Sequence, residues 1–213
     1  MGTTIAHRNS ALDPRVWADE RRGLGLLSGE RPIFALALGW QVVLTMRGYR
    51  VHNVDGANRC NVFHLAGECM ERGVPVEGVL QSITVQRVFT PYQALDVAGQ
   101  IAEQASRDAR AKNDESCVYF FLSPCKQFFD GDVGPEEGEF LLRRLLGIFA
   151  YMARRSLHVL IVEREYEHPT FHKLFPELET LANTRWTLNE DGNAQLSGEL
   201  SYGTYAGSLF HAD

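Results

Sequence analysis

Six consecutive residues, Cys117-Val118-Tyr119-Phe120-Phe121-Leu122, carry strand-type side chains and no charge. A strand with no polar face has no side to turn to water. It needs cover on both faces, as at the centre of a parallel sheet. Residues 157–162 form a second run of this kind. Two such strands constrain the fold more than any other feature, because layers must be built on both sides of a sheet.

The flanking segments supply those layers. Residues 61–72 place Val62, Leu65, Ala66 and Cys69 at i, i+3, i+4 and i+7 of a helix, which Gly73 closes. Residues 91–112 predict a long helix with Leu95, Ala98, Ala102 and Ala105 on one face, and residues 135–155 a strongly apolar one. Residues 169–182 predict another, and 77–80 a helical turn. Further strands are expected at 33–38, 49–54 and 83–88, with a short helix at 40–47. Residues 185–189 and 193–200, joined through Asp191-Gly192, read as a hairpin. The expected fold class is α/β: a mostly parallel open sheet flanked by helices, with a C-terminal antiparallel hairpin.

A chain of 213 residues, 45% hydrophobic, suits one domain. We expect residues 1–31 to be an arm and 32–213 the domain. Within the arm, Asp13-Pro14 starts a short helix around Val16 and Trp17, which Gly23 ends. Trp17 is expected to be an anchor or a neighbour-binding element. Arg8, Arg15, Arg21 and Arg22 without an apolar run predict no secretory leader. No apolar stretch nears the roughly 20 residues of a membrane span. Cys60, Cys69, Cys117 and Cys125 form no C-x-x-C pair and are expected as buried free thiols in a reducing, cytoplasmic setting.

Charge excludes further classes. The net charge is −6, and the only lysines are Lys112, Lys126 and Lys173. The first 111 residues therefore hold no lysine. A polylysine nucleic-acid arm is excluded, and the acidic balance argues against a broad DNA-coating surface.

One stretch goes beyond a generic α/β pattern. Val54-Asp55-Gly56-Ala57-Asn58-Arg59 ends a strand. A helix, a Val79-Leu80 turn and Ile83-Thr84-Val85-Gln86-Arg87-Val88-Phe89-Thr90-Pro91-Tyr92-Gln93 follow. This order resembles the RecA-type recombinase core of the P-loop NTPase superfamily, over about residues 33–205. The resemblance places Cys117–Leu122 as the Walker B strand, residues 157–164 as the sensor strand, and Thr184-Arg185-Trp186 in the closing strand.

The family's ATP chemistry depends on residues that can be checked singly. A P-loop needs G-x-x-x-x-G-K-[ST], so that backbone N–H groups wrap the phosphates while Lys and a hydroxyl hold charge and Mg²⁺. No Gly-Lys pair occurs in this chain. The expected position, near residues 36–44, offers only Gly39, followed by the bulky Trp40. The Walker B strand ends in Leu122 and Ser123 rather than Asp. Ala57 stands where the resemblance implies a catalytic carboxylate, and Arg164 stands for the sensor glutamine. ATP hydrolysis and an ATP–Mg²⁺ cofactor are therefore disfavoured.

The DNA loops implied by the resemblance are also poor. Residues 123–134 set Lys126 against Asp130 and Asp132. Residues 163–179 set Arg164 and Lys173 against five glutamates. Neither makes a positive track. Phe128, Phe129, Tyr166 and Phe171 are candidates for base stacking or for the core.

Asp55, Asn58 and Arg59 fall at a predicted strand end, where open α/β sheets place ligand sites. Arg87, Tyr92 and Gln93 fall at another. These residues and Arg164 are the candidate ligand- or partner-binding set. The same residues would serve structure if Asp55 closes a turn, Asn58 caps a helix, Arg59 pairs locally and the second group links or caps elements. His168 and His172, spaced i, i+4, lack a third metal ligand. The leading expectation is a non-hydrolysing RecA-like domain that binds a protein partner or itself, in a DNA repair, recombination or damage-response setting. The alternatives are a divergent ATPase that holds nucleotide through Arg47, Arg59 or Arg164, and a DNA-binding accessory subunit.

Overall fold

Strands with no polar face and helices with one apolar stripe can only be satisfied together in stacked layers. The computed structural model describes residues 13–20, 23–30, 32–111, 117–129, 132–188 and 194–198. Its elements in chain order are α1 (Pro14–Glu20), β1 (Leu24–Gly29), α2 (Pro32–Thr45), β2 (Arg50–Asp55), α3 (Val62–Glu71), α4 (Val76–Gln81), β3 (Ile83–Arg87) and α5 (Pro91–Ala111). Then follow β4 (Cys117–Leu122), α6 (Pro135–Arg154), β5 (Val159–Glu163), α7 (Pro169–Leu181), β6 (Thr184–Leu188) and β7 (Ala194–Gly198).

The sheet order is β3-β2-β4-β5-β1-β6-β7. The first six strands in that order are parallel, and β7 runs antiparallel to β6. Residues 189–193, which hold the predicted Asp191-Gly192 turn, lie outside the described residues. Side chains alternate between two cores. Leu24, Leu26, Phe121 and Ile161 pack with α5, α6 and α7 on one face. Leu27, Phe120, Leu122, Leu160 and Val162 pack with α1 to α4 on the other. The uncharged β4 is central and covered on both sides, as its composition predicts.

Two expectations fail near the N-terminus. Residues 33–38 are not a strand but the start of α2, with Pro32 at its first turn. Ile33, Phe34, Ala37, Leu38, Trp40, Val42 and Leu44 are all buried. A helix that is apolar all round shows no stripe to distinguish it from a strand. The first strand is instead β1, in the middle of the sheet between β5 and β6. The boundary at residues 31 and 32 therefore does not separate an arm from a domain. Trp17 is 1% exposed and meets Trp186 edge-on at 6.3 Å. Gly25 makes room for it: a Cβ there would lie 3.1 Å from Trp17 Nε1 and 2.9 Å from Leu160 Cδ1.

Gly39, the lone glycine of the segment compared with a phosphate loop, is a helix contact. A Cβ at Gly39 would come 3.0 Å from Glu68 Oε2 of α3. On the same helix Gln41 and the β2 residue Asn53 exchange two amide hydrogen bonds, at 2.7 and 3.0 Å, fully out of water. That reciprocal pair satisfies polar groups that would otherwise be costly to bury.

Candidate functional site at the carboxyl rim of the sheet

Parallel strands end on one rim, and the loops there leave toward opposite faces. β1 and β2 lead to helices on one face, while β4 and β5 lead to helices on the other. The sequence candidates Asp55, Asn58, Arg59, Arg87 and Arg164 all fall on this rim, with Tyr92 and Gln93 in the first turn of α5. Arg47 does not, because it follows the far end of α2. It bonds Asp19 at 2.9 Å.

At the end of β2, the buried Asp55 carboxylate accepts from the N–H groups of Ala57, Arg59 and Cys60, at 3.3, 2.8 and 3.0 Å. The carboxylate thus closes a turn, with backbone N–H groups on both of its oxygens. Burial, with the Asp55 charge beside it, pushes the Cys60 thiol up to about 11. Asn58 is exposed, with φ of +55°. It does not cap α3. Asn61 does, accepting from Phe63 N–H at 2.9 Å and His64 N–H at 3.3 Å. The Arg59 guanidinium lies 5.0 Å from the ring centre of Phe34, in the first turn of α2. Its Nε is buried with no hydrogen-bond partner among the described residues.

At the end of β3, Arg87 is exposed beside Asp55 in the ladder. Thr90 and Gln93 cap α5: Gln93 N–H donates to Thr90 Oγ1 at 3.2 Å, and Gln93 Oε1 accepts from Phe89 N–H at 2.9 Å. The Tyr92 hydroxyl donates to Glu137 in the first turn of α6. Gln93 is thus a helix cap, and Tyr92 links two helix starts.

The ends of β4 and β5 hold a cluster that the sequence did not single out. Glu163 is completely buried. Its Oε1 accepts from Ser123 Oγ at 3.1 Å and Arg164 N–H at 3.0 Å, and its Oε2 from Cys125 N–H at 2.8 Å. The Tyr166 hydroxyl completes the chain at Ser123. Burial holds the Glu163 carboxyl above its usual range, opposed mainly by the Cys125 N–H. Ser123 sits at φ +53° and is 0% exposed. Beside it Gln127 donates to the Gly56 and Val88 carbonyls, tying three strand ends together. The expected Walker B position is therefore a dry polar staple. Arg164 stacks over Tyr166 at 5.2 Å, and its Nε also lacks a partner among the described residues.

The turn after β1 occupies the position where a phosphate loop would leave the central strand. Only two residues separate Gly29 from Pro32. Gly29 has φ of +127°, and a Cβ there would overlap the Leu188 carbonyl of β6. Glu30 N–H donates to that carbonyl at 3.2 Å, and Ile33 N–H to Glu30 O at 3.0 Å. Those N–H groups are used internally, whereas a phosphate cradle needs them convergent and free.

The remaining aromatic and histidine candidates resolve as packing. Phe129, Tyr166 and Phe171 meet one another at 5.2–5.9 Å. Phe128 is core. His168 caps α7, accepting from Thr170 N–H through Nδ1 at 3.2 Å, and stacks on Phe129 at 4.6 Å. Among the described residues no three His, Cys, Asp or Glu side chains are grouped to hold a metal, and no helix is long and apolar enough to cross a membrane.

Sequence reasoning singled out Tyr92 but passed over two phenylalanines left in water beside it on this rim. Phe63 opens α3 at 90% exposure, Phe89 follows β3 at 72%, and Tyr92 is 57% exposed. The signal was present as two aromatic residues just outside the predicted stripes. No protein-family model matches the chain, and no curated protein matches it.

Proposed function

We propose that the chain is a non-hydrolysing RecA-like domain that acts by binding a protein partner. The observation that carries this reading is the β1–α2 turn: two residues long, locked to β6, with the Glu30 and Ile33 N–H groups already used. The α/β architecture, with a mostly parallel sheet and its first strand inside it, is compatible with the RecA-like part, which rests on the resemblance of the sequence. The exposed Phe63, Phe89 and Tyr92 support the partner, because large apolar side chains gathered on one rim mark interaction surfaces. The DNA repair, recombination or damage-response setting rests on the family resemblance alone.

One observation favours a second reading. Arg59, after β2, and Arg164, after β5, both carry a buried Nε without a partner among the described residues. Guanidinium groups stacked on rings are suited to bidentate phosphate contact. A divergent nucleotide site would use this pair. The DNA-accessory reading gains nothing from the rim, where the aromatic candidates pack among themselves.

Crosslinking in cells tests the leading reading. Phe63→Ser and Phe89→Ser change exposed side chains, so stability should stay within about 0.5 kcal/mol. Each should weaken partner capture by roughly 30-fold, as loss of an aromatic hot spot does. Phe140→Ser, at a 61% exposed position on α6, is the control that should leave capture unchanged. Equal capture by all four proteins would overturn the reading.

A further inference from the structure

Among the described residues, β3 forms one edge of the sheet and pairs only with β2. Two hydrogen bonds at its ends set which residues face inward. The Ser82 carbonyl accepts from Val51 N–H at 2.9 Å, and Val88 N–H donates to the Asp55 carbonyl at 3.1 Å. Along a strand, alternate residues direct both main-chain groups to the same side. Positions 82, 84, 86 and 88 therefore face β2. Ile83, Val85 and Arg87 turn their N–H and C=O groups outward, where no strand among the described residues meets them.

Open edges are usually blunted by charged side chains, proline, a bulge or a covering element. Of these β3 has only Arg87 at its end, among the described residues. Residues 83–86 contain no charge and no proline, and the pairing with β2 runs residue for residue without a bulge. Thr84 and Val85 are exposed, Val85 at 37%.

We propose that β3 pairs with β3 of a second copy of this chain, antiparallel, about a two-fold axis at Val85. The proposal rests on the reading of the chain as a protein-binding domain and names a second copy as one such partner. The strand is its own complement. With Val85 opposite Val85, the outward groups of Ile83 meet those of Arg87 on each side. Every outward N–H and C=O then finds a partner, which is the self-complementarity an isologous contact requires. Ile83 lies against the aliphatic stem of Arg87. Arg87 is the only charge on β3. The antiparallel arrangement separates the two copies of Arg87 by about 14 Å along the ladder, whereas a parallel one would stack them. Phe89, two residues beyond β3, comes opposite Gln81 at the end of α4 in the second copy. That position gives its exposed ring a neighbour.

Sedimentation over a range of concentrations, with hydrogen exchange on the same samples, tests this. The wild type should shift from 23.9 kDa toward twice that mass as concentration rises. The amides of Ile83, Val85 and Arg87 should gain protection with concentration, while those of Thr84, Gln86 and Val88 stay protected throughout. Val85→Lys should raise the dissociation constant at least about tenfold. Val85→Pro removes an outward N–H and spares the ladder to β2, so it should do the same. If the proline variant does not fold, the lysine variant and the exchange pattern decide. A monomer at every concentration overturns the pairing, and so does a dimer that both variants leave intact. A monomer whose partner capture still depends on Phe63 would refute this pairing and leave the protein-binding reading standing.

Discussion

The Gly29→Ala protein should melt roughly 10 °C below the wild type, a loss of about 3 kcal/mol for a chain of this size. Gly29 has φ of +127°, where an L-residue is strained. Its Cβ would also overlap the Leu188 carbonyl, which is backbone in the neighbouring strand and not a side chain that can swing away. The contact also anchors the β1–α2 turn through Glu30 N–H. Relief requires β1 and β6 to part, with the Trp17–Trp186 packing beneath them. Gly73→Ala is the comparison. Gly73 too has a left-handed φ, +65°, but a Cβ there meets nothing within 4 Å. It should cost only about 1 kcal/mol. Thermal unfolding of the two variants separates strain from overlap, and equal losses would contradict the locked turn.

The second large effect concerns Glu163. In Glu163→Gln one oxygen becomes an NH₂ group. Oε1 accepts from Arg164 N–H and Oε2 from Cys125 N–H, so either amide orientation sets a donor against a backbone donor. A buried donor left unsatisfied costs about 1–3 kcal/mol. The pH dependence has a definite sign. The folded carboxyl titrates above its usual 4.5 because burial disfavours the charge. The native state therefore holds the proton more tightly than the unfolded chain does. As pH rises from 4.5 to the folded value, the wild type loses stability through this group, and the glutamine variant does not. The deficit of Glu163→Gln should be largest below pH 4.5 and narrow as pH rises through the folded value. Chemical denaturation at a series of pH values reads this directly. A gap that widens with pH would mean that the three donors outweigh burial.

Those two residues mark where sequence reasoning stops. β4 was legible from composition alone, because six uncharged residues leave no face for water. α3, α5, α6 and α7 were legible from periodicity, to within a residue or two of their ends. β1 was not. Its sequence, Leu-Gly-Leu-Leu-Ser-Gly, has two glycines that lower strand propensity, and both are explained only by neighbours from α1, β5 and β6. α2 was misread because helix and strand look alike when every face is apolar. With β1 displaced, the phosphate-loop comparison fell on residues inside α2, whereas the turn that follows the first strand is the one after Gly29. At the site, the structural alternative held for Asp55 and Gln93, which local spacing foreshadows. The cap expected of Asn58 falls on Asn61, three residues later. The Glu163–Ser123–Cys125 staple joins residues some forty positions apart, and only the β4–β5 pairing brings them together.

The most direct test of the central claim is the melting temperature of the wild type with saturating ATP–Mg²⁺. Occupancy at 100 times the dissociation constant would add about 2.7 kcal/mol. The two-residue turn, with the Glu30 and Ile33 N–H groups used internally, predicts no shift. A rise of that size, abolished by Arg59→Ala or Arg164→Ala, would contradict the account and establish those arginines as a nucleotide site.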